Sequence, residues 1–221
     1  QPIQEVSELA NEKGAIFMSD CTQSVGKIPV DVDEFGIDLL CFSAHKIYGP
    51  KGVGGLFIRQ RKNRIKIPAL LHGGGHERGM RSGTLNVPGI VGLGKACELA
   101  QEEMAENEVK IREMRDYLES ELLKIDGTWI NGNREKRLYN VTNFGFEGLD
   151  GEFFVNSNRS LIVSNGSACT SALVEPSHVL TSMRLSADKA FSSIRISIGK
   201  FNDHSELKKA ITNHFICIFS N

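Results

Sequence analysis

The chain has 221 residues, 40% apolar and 24% charged, and 26 Lys and Arg balance 27 Asp and Glu to a formal net charge of −1. That composition supports a packed core and argues against wholesale disorder or nucleic acid as the main partner. No apolar run reaches the ~18 residues of a membrane span, and Gln1 to Glu5 carries no secretory signal. Five widely spaced cysteines without a C-x-x-C pair fit neither a disulfide framework nor a structural zinc site, so a reducing cytoplasm is expected, with no membrane association.

In chain order, Ile3 to Lys13 places Ile3, Val6, Leu9 and Ala10 at helical spacing, and Gly14 punctuates it. Ala15-Ile16-Phe17-Met18 reads as a short buried strand ending at Ser19-Asp20. Leu39-Leu40-Cys41-Phe42 is a second, ending at Ser43-Ala44-His45-Lys46. Val53 to Ile58 is a third, beyond the turn-rich Tyr48 to Gly52. Short apolar runs joined by helical connections predict part of an open α/β sheet, which binds ligands off its strand ends. Residues 60–87 are irregular and glycine-rich, predicting a tight or ligand-shaped backbone. Pro88 opens a long helix to about Lys124, with Ile111, Met114, Leu118 and Leu122 repeating in its second half. Beyond Gly127 the pattern turns to short strands at Tyr139–Phe146, Ser160–Ser164 and Ser192–Ile198. A last helix starts near Asp203, with Glu206 completing a capping box. A domain boundary is expected near residue 105, inside the long helix.

Several motifs do not survive inspection. Gly89 to Lys95 fits G-x-x-x-x-G-K, but Ala96 lacks the hydroxyl that would bind magnesium, and Pro88 starts a helix where a P-loop needs a preceding strand. His72 and His76 flank three glycines, which will not hold a helix, and no further ligands complete a metal set. Cys169 with His178 lacks any thiol-hydrolase signature.

Other residues carry chemistry together. A carboxylate at one strand end (Asp20) and a lysine at the next (Lys46) form the minimal pair for pyridoxal phosphate: one keeps the pyridine nitrogen protonated, the other forms an imine. Gln23 lies three residues beyond Asp20, and Ser43 and His45 supply donors for a phosphate or phenolate oxygen. Ser164 to Ala172 is small and polar, which favours an accessible thiol at Cys169 over a buried one. Ser193 to Ile198 alternates strictly, with three isoleucines on one face and Arg195 with Ser197 on the other. Arg195 is suited equally to clamping a carboxylate and to a surface ion pair.

The stretches Ser43-Ala44-His45-Lys46-Ile47-Tyr48-Gly49-Pro50-Lys51-Gly52, His72 to Thr84, Asn165-Gly166-Ser167-Ala168-Cys169-Thr170-Ser171 and Ser192-Ser193-Ile194-Arg195 resemble, in order, those of NifS/IscS-type cysteine desulfurases. The resemblance implies a PLP-dependent fold-type-I aminotransferase architecture: a partial large cofactor domain over 1–104 and a small α+β domain over 105–221 that carries the Cys loop. It implies Lys46 as the Schiff-base lysine, Asp20 on the pyridinium nitrogen, Gln23 on the phenolate, and Ser43 and His45 on the phosphate, with His45 also catalytic. Thr84 would reach the phosphate of a partner subunit in a homodimer. Cys169 would carry the persulfide and serve as a transient iron–sulfur ligand, there being no resident metal, and Arg195 would hold the substrate carboxylate. The reaction implied takes L-cysteine to L-alanine and passes sulfur to an iron–sulfur scaffold or another acceptor. Family members are roughly twice as long, and the residue at position 1 is Gln, so the chain is expected to be the C-terminal part of a longer protein. The segment missing from the front would supply a Gly/Thr phosphate turn, a His over the ring and an Asn near the phenolate. Residues 215–221 do not resemble the family's tail. An inactive, partner-binding fragment and a related PLP lyase or selenocysteine lyase are the alternative readings.

Overall fold

Helix α1 (Ile3–Glu12) begins directly after Pro2 and ends in a Schellman turn: Gly14, at φ 63°, donates to Asn11, and Ala15 donates to Ala10. Its buried side chain is Ser7 and Ile3 packs against the core of the first unit, whereas Val6 and Leu9 are exposed, so only part of the apolar stripe expected from the spacing packs. The computed structural model in which these elements are seen describes residues 1–60, 65–166 and 175–216. Packing divides the chain within its longest helix, α2 (Val87–Leu122), into the units Gln1–Met104 and Ala105–Asn221.

In the first unit, β1 (Met18–Asp20) pairs parallel with β2 (Leu39–Ser43), which pairs antiparallel with β3 (Gly54–Ile58). The register sets Met18, Leu39 and Ile58 in one row and Asp20, Cys41 and Leu56 in another, on the same face. The opposite face packs: Ile37, Leu40 and Cys21 are buried, with Phe42 and Phe57 against them. The run at 15–18 is therefore not the buried strand expected. Ile16 and Met18 are more than half exposed, because only one face of this sheet is covered. Asn86 Oδ1 accepts from Gly89 N–H at 3.2 Å where α2 starts, and Pro88 sits in the first turn, where a missing N–H costs nothing.

In the second unit, β4 (Thr128–Ile130), β5 (Val141–Phe146) and β6 (Ser193–Ser197) form an antiparallel sheet. Phe144, Phe146, Ile194 and Ile196 pack with Met114, Leu118 and Leu122 of α2 in one buried cluster. Strand β4 was not foreseen. It is three residues long and is held by pairing with β5, and Gly145 opposite Trp129 lets the indole lie on the backbone, since a Cβ there would come within 2.0 Å of the ring. Ser160 to Ser164 is not a strand. Leu161 turns back onto Asn158, and Ser164 alone bridges to Arg195. Helices α3 (Gly151–Ser157), α4 (His178–Ser182) and α5 (Ala187–Phe191) are short. Asp203 and Glu206 close the expected capping box on α6 (His204–Ala210), which runs on into a π-turn at Ile211–Ile216.

Candidate active site

Two adjacent parallel strands end together, and that geometry gathers the candidate residues of the first unit. Asp20 is the last residue of β1 and Ser43 the last of β2. The chain then closes into a 3-10 turn, Ala44–Ile47, with Ala44 and Ile47 buried and His45 and Lys46 exposed. Tyr48 follows in a left-handed conformation and lets Gly49 N–H reach back to Ala44 O at 2.9 Å. Ser43 Oγ and His45 Nδ1 lie 2.7 Å apart, a hydrogen bond that orients the imidazole.

Asp20 Oδ1 accepts from Thr22 N–H at 2.9 Å. Hydrogen bonds from the Thr22 side chain and backbone hold its carboxyl below the usual carboxylate range, so it presents a full negative charge at neutral pH. Gln23 follows in the same turn and is exposed. Thr84 is exposed at the end of the glycine-rich segment, where Arg81 donates to its carbonyl oxygen. In that segment Gly73, Gly75, Gly79 and Gly83 all take positive φ, and Ser82 Oγ accepts from Gly75 N–H at 3.1 Å, which is the tight backbone expected.

Lys27 is a residue that sequence reasoning missed. Its Nζ is buried and has no hydrogen-bond partner among the described residues. Burial, and then the charge of Lys46, push its pKa down. Preceding it, Gly26 at φ 74° presses so closely on Ile47 that a Cβ would come 2.6 Å from Cγ2. The turn carrying Lys27 thus lies directly against the turn carrying Lys46. No motif flags this lysine; its burial follows only from the contact between the two turns.

In the second unit, Arg195 stands on the exposed face of β6 while Ile194 and Ile196 are buried. Its backbone holds Ser164 through two hydrogen bonds, Ser164 N–H to Arg195 O and Arg195 N–H to Ser164 O. The segment that leads to Cys169 therefore starts beside the guanidinium-bearing residue. Cys169 itself lies outside the described residues.

Comparison with known proteins bears on this arrangement directly. The family model described as aminotransferase class-V matches residues 1–209. The chain belongs to the class-V aminotransferase family. It is 47% identical over 211 residues to cysteine desulfurase IscS of Edwardsiella ictaluri, and 46% identical to that of Histophilus somni. Each of these alignments covers 96% of this chain and 52% of the relative, so the chain spans about half the length of the curated relatives it matches. Among solved structures, a NifS-like protein from Rickettsia africae superposes with a TM-score of 0.85 at 31% identity, covering 99% of this chain and 57% of the other. The structure of SspA in complex with cysteine matches with a TM-score of 0.71 at 35% identity, covering 92% and 56%.

Class-V aminotransferases use pyridoxal phosphate, and the first unit fits that group. An ionised carboxylate suits a pyridinium nitrogen. A hydroxyl, an imidazole and the unpartnered ammonium of Lys27 suit a phosphate dianion, and Lys46 is exposed to bond an aldehyde. No helix of the described residues is long and apolar enough to cross a membrane.

Proposed function

We propose that the chain forms part of a cysteine desulfurase, which takes L-cysteine to L-alanine and holds the sulfur as a persulfide on Cys169. The observation that carries this reading is the gathering of Asp20, Ser43, His45 and Lys46 at the carboxyl ends of two neighbouring parallel strands. The relatives named cysteine desulfurase and the neighbour solved with cysteine support the choice of substrate.

Residues 1–104 serve as part of the cofactor domain and 105–221 as the small domain. Asp20 accepts a hydrogen bond from the pyridinium, Gln23 faces the phenolate, and Ser43 and His45 hold the phosphate, with Thr84 reaching the phosphate of a second copy in a homodimer. When bound, pyridoxal phosphate supplies the electron sink for the substrate's Cα. Lys46 Nζ takes the Cα proton and returns one to carbon as general acid/base. Arg195 pairs with the substrate carboxylate through two parallel hydrogen bonds. The Cys169 thiolate attacks the substrate sulfur: an S–S bond forms, the Cβ–S bond breaks, and its electron pair stays on carbon, which is protonated to alanine. One substrate cysteine and one enzyme thiol thus become one alanine and one persulfide. The sulfur passes to an iron–sulfur scaffold or another acceptor in the cytoplasm, and Cys169 serves as a transient cluster ligand during transfer.

The test uses the full-length protein loaded with pyridoxal phosphate. L-cysteine should yield alanine and a persulfide on the Cys169 peptide in equal amounts, and borohydride should fix the cofactor to Lys46. Cys169→Ser should keep the cofactor and lose the persulfide. Alanine and sulfide released by that variant at the parent rate, or fixation to a different lysine, overturns the proposal.

A further inference from the structure

The unit 105–221 contains a cleft that plays no part in the reaction proposed above. It has a volume of about 510 Å³ and is walled by Trp129, Asn131, Gly132, Arg184, Ser186 and Lys189, with no carboxylate in its lining. Small-molecule sites occupy roughly 300–1,000 Å³. Three of its lining residues, Trp129, Asn131 and Lys189, are tied together by a hydrogen-bond network. The Trp129 indole N–H donates to Asn131 Oδ1 at 2.8 Å, and the Asn131 amide donates to Asn143 Oδ1 at 2.6 Å and Ser193 Oγ at 2.9 Å. The Ser193 hydroxyl in turn donates to the carbonyl of Lys189 at 2.7 Å, fixing the backbone from which that lysine projects. Lys189 Nζ stands 5.1 Å from the centre of the Trp129 ring, so the indole seats the ammonium at the cleft without neutralising it.

Arg184 is the second cation, and its backbone is unusual. It sits at φ 68°, the left-handed region that glycine enters freely and a long side chain enters only under strain. It follows α4 at a position where glycine commonly ends a helix. The turn is a Schellman cap, in which Arg184 N–H donates to Thr181 and Leu185 N–H to Leu180, and it turns the Arg184 side chain out from the helix end. Arg184 and Lys189 are both exposed, and among the described residues neither forms an ion pair. Ser186 Oγ accepts from Lys189 N–H and keeps its own proton to donate. A guanidinium fork, an ammonium and a hydroxyl on walls tied by that network together match the oxygens of a phosphate group.

We propose that this cleft binds a phosphate group, either inorganic phosphate or the phosphate of a small molecule, between Arg184 and Lys189. Trp129 is the only tryptophan in the chain, so its fluorescence reports on the cleft without a label. The probes are inorganic phosphate and AMP, with sodium chloride at matched ionic strength and uncharged adenosine as controls. Both phosphate compounds should change the emission saturably, and the controls should not. AMP binding at least tenfold tighter than inorganic phosphate identifies a phosphate ester as the occupant, and equal binding identifies the free anion. Lys189→Met and Arg184→Gly should each weaken binding at least tenfold. Arg184→Gly should also melt no lower than the parent, because glycine relieves the strained backbone. The Lys189→Met result decides the matter whatever the glycine variant does to folding, since it leaves the backbone alone. A phosphate response no larger than that of chloride, or parent-like affinity in Lys189→Met, overturns the proposal.

Discussion

Lys27 shows how one buried ammonium group can oppose folding. Its ammonium nitrogen is buried without an acceptor, and burial and the charge of Lys46 lower its pKa. A lysine whose folded pKa is depressed destabilises the fold at pH values below its ordinary pKa of about 10.4, and the penalty fades as pH rises through that window. Lys27→Met should therefore raise the melting temperature of the cofactor-free chain at neutral pH, with the gain shrinking toward pH 10 in a thermal-melt series. The same substitution should weaken pyridoxal phosphate binding, read by equilibrium dialysis, because it removes a cation packed beside the turn that carries Lys46. A variant that melts lower at pH 7, or binds the cofactor as well as the parent, refutes this account. Asp20 and Lys46 were legible in the sequence because each ends an apolar run. Lys27 was not, because an exposed lysine and a buried one look alike until a second turn is laid against the first.

At the scale of elements, α2 and the β5 sheet are joined through a buried ion pair as well as through the apolar cluster. Glu119 is 2% exposed, and its Oε2 accepts from Arg137 Nη2 at 2.8 Å. Its Oε1 lies 2.7 Å from Arg137 Nη1, close enough for an ion pair but too poorly aligned for a hydrogen bond. Arg137 also donates to Thr142 of β5, so it ties helix to strand. Removing Arg137 leaves the buried Glu119 carboxylate with only the exposed Arg134, 4.0 Å away, and stranding a buried charge costs about 3–5 kcal/mol. Arg137→Ala should lose about that much in urea denaturation, while the double variant Glu119→Leu with Arg137→Met should recover most of it. A double variant no more stable than Arg137→Ala would show that the pair stabilises on its own account. The repeat of Ile111, Met114, Leu118 and Leu122 was readable as one helix face, and all four are buried. Strand β4 was not readable, since three residues carry too little pattern and their partner lies across a loop.

At the scale of the whole molecule, Asp20 and Ser43 stand on the less covered face of the three-stranded sheet. Met18 and Leu56, on the same face as Asp20, are 55% and 52% exposed. Catalysis at Cα needs a narrowly held geometry, and small misplacements cost about 100-fold. The 221-residue chain alone, supplied with pyridoxal phosphate and L-cysteine, should turn over at no more than about a hundredth of the rate of a full-length relative. A steady-state alanine assay checks this, and comparable turnover would show that this chain suffices.

Local chemistry is what the sequence determined unaided. Helix punctuation at Gly14, the capping box at Asp203, the alternation around Arg195 and the order of motifs from Ser43 to Arg195 each depend on neighbours a few residues apart, where spacing and backbone geometry act directly. Burial was decided only in three dimensions. Whether Ile16 is covered, whether Ser160 to Ser164 finds a strand partner and whether Lys27 keeps its solvent all depend on surfaces brought together from distant parts of the chain. The periodicity of a segment names the face that can be buried, but the packing of other segments against it determines whether it is.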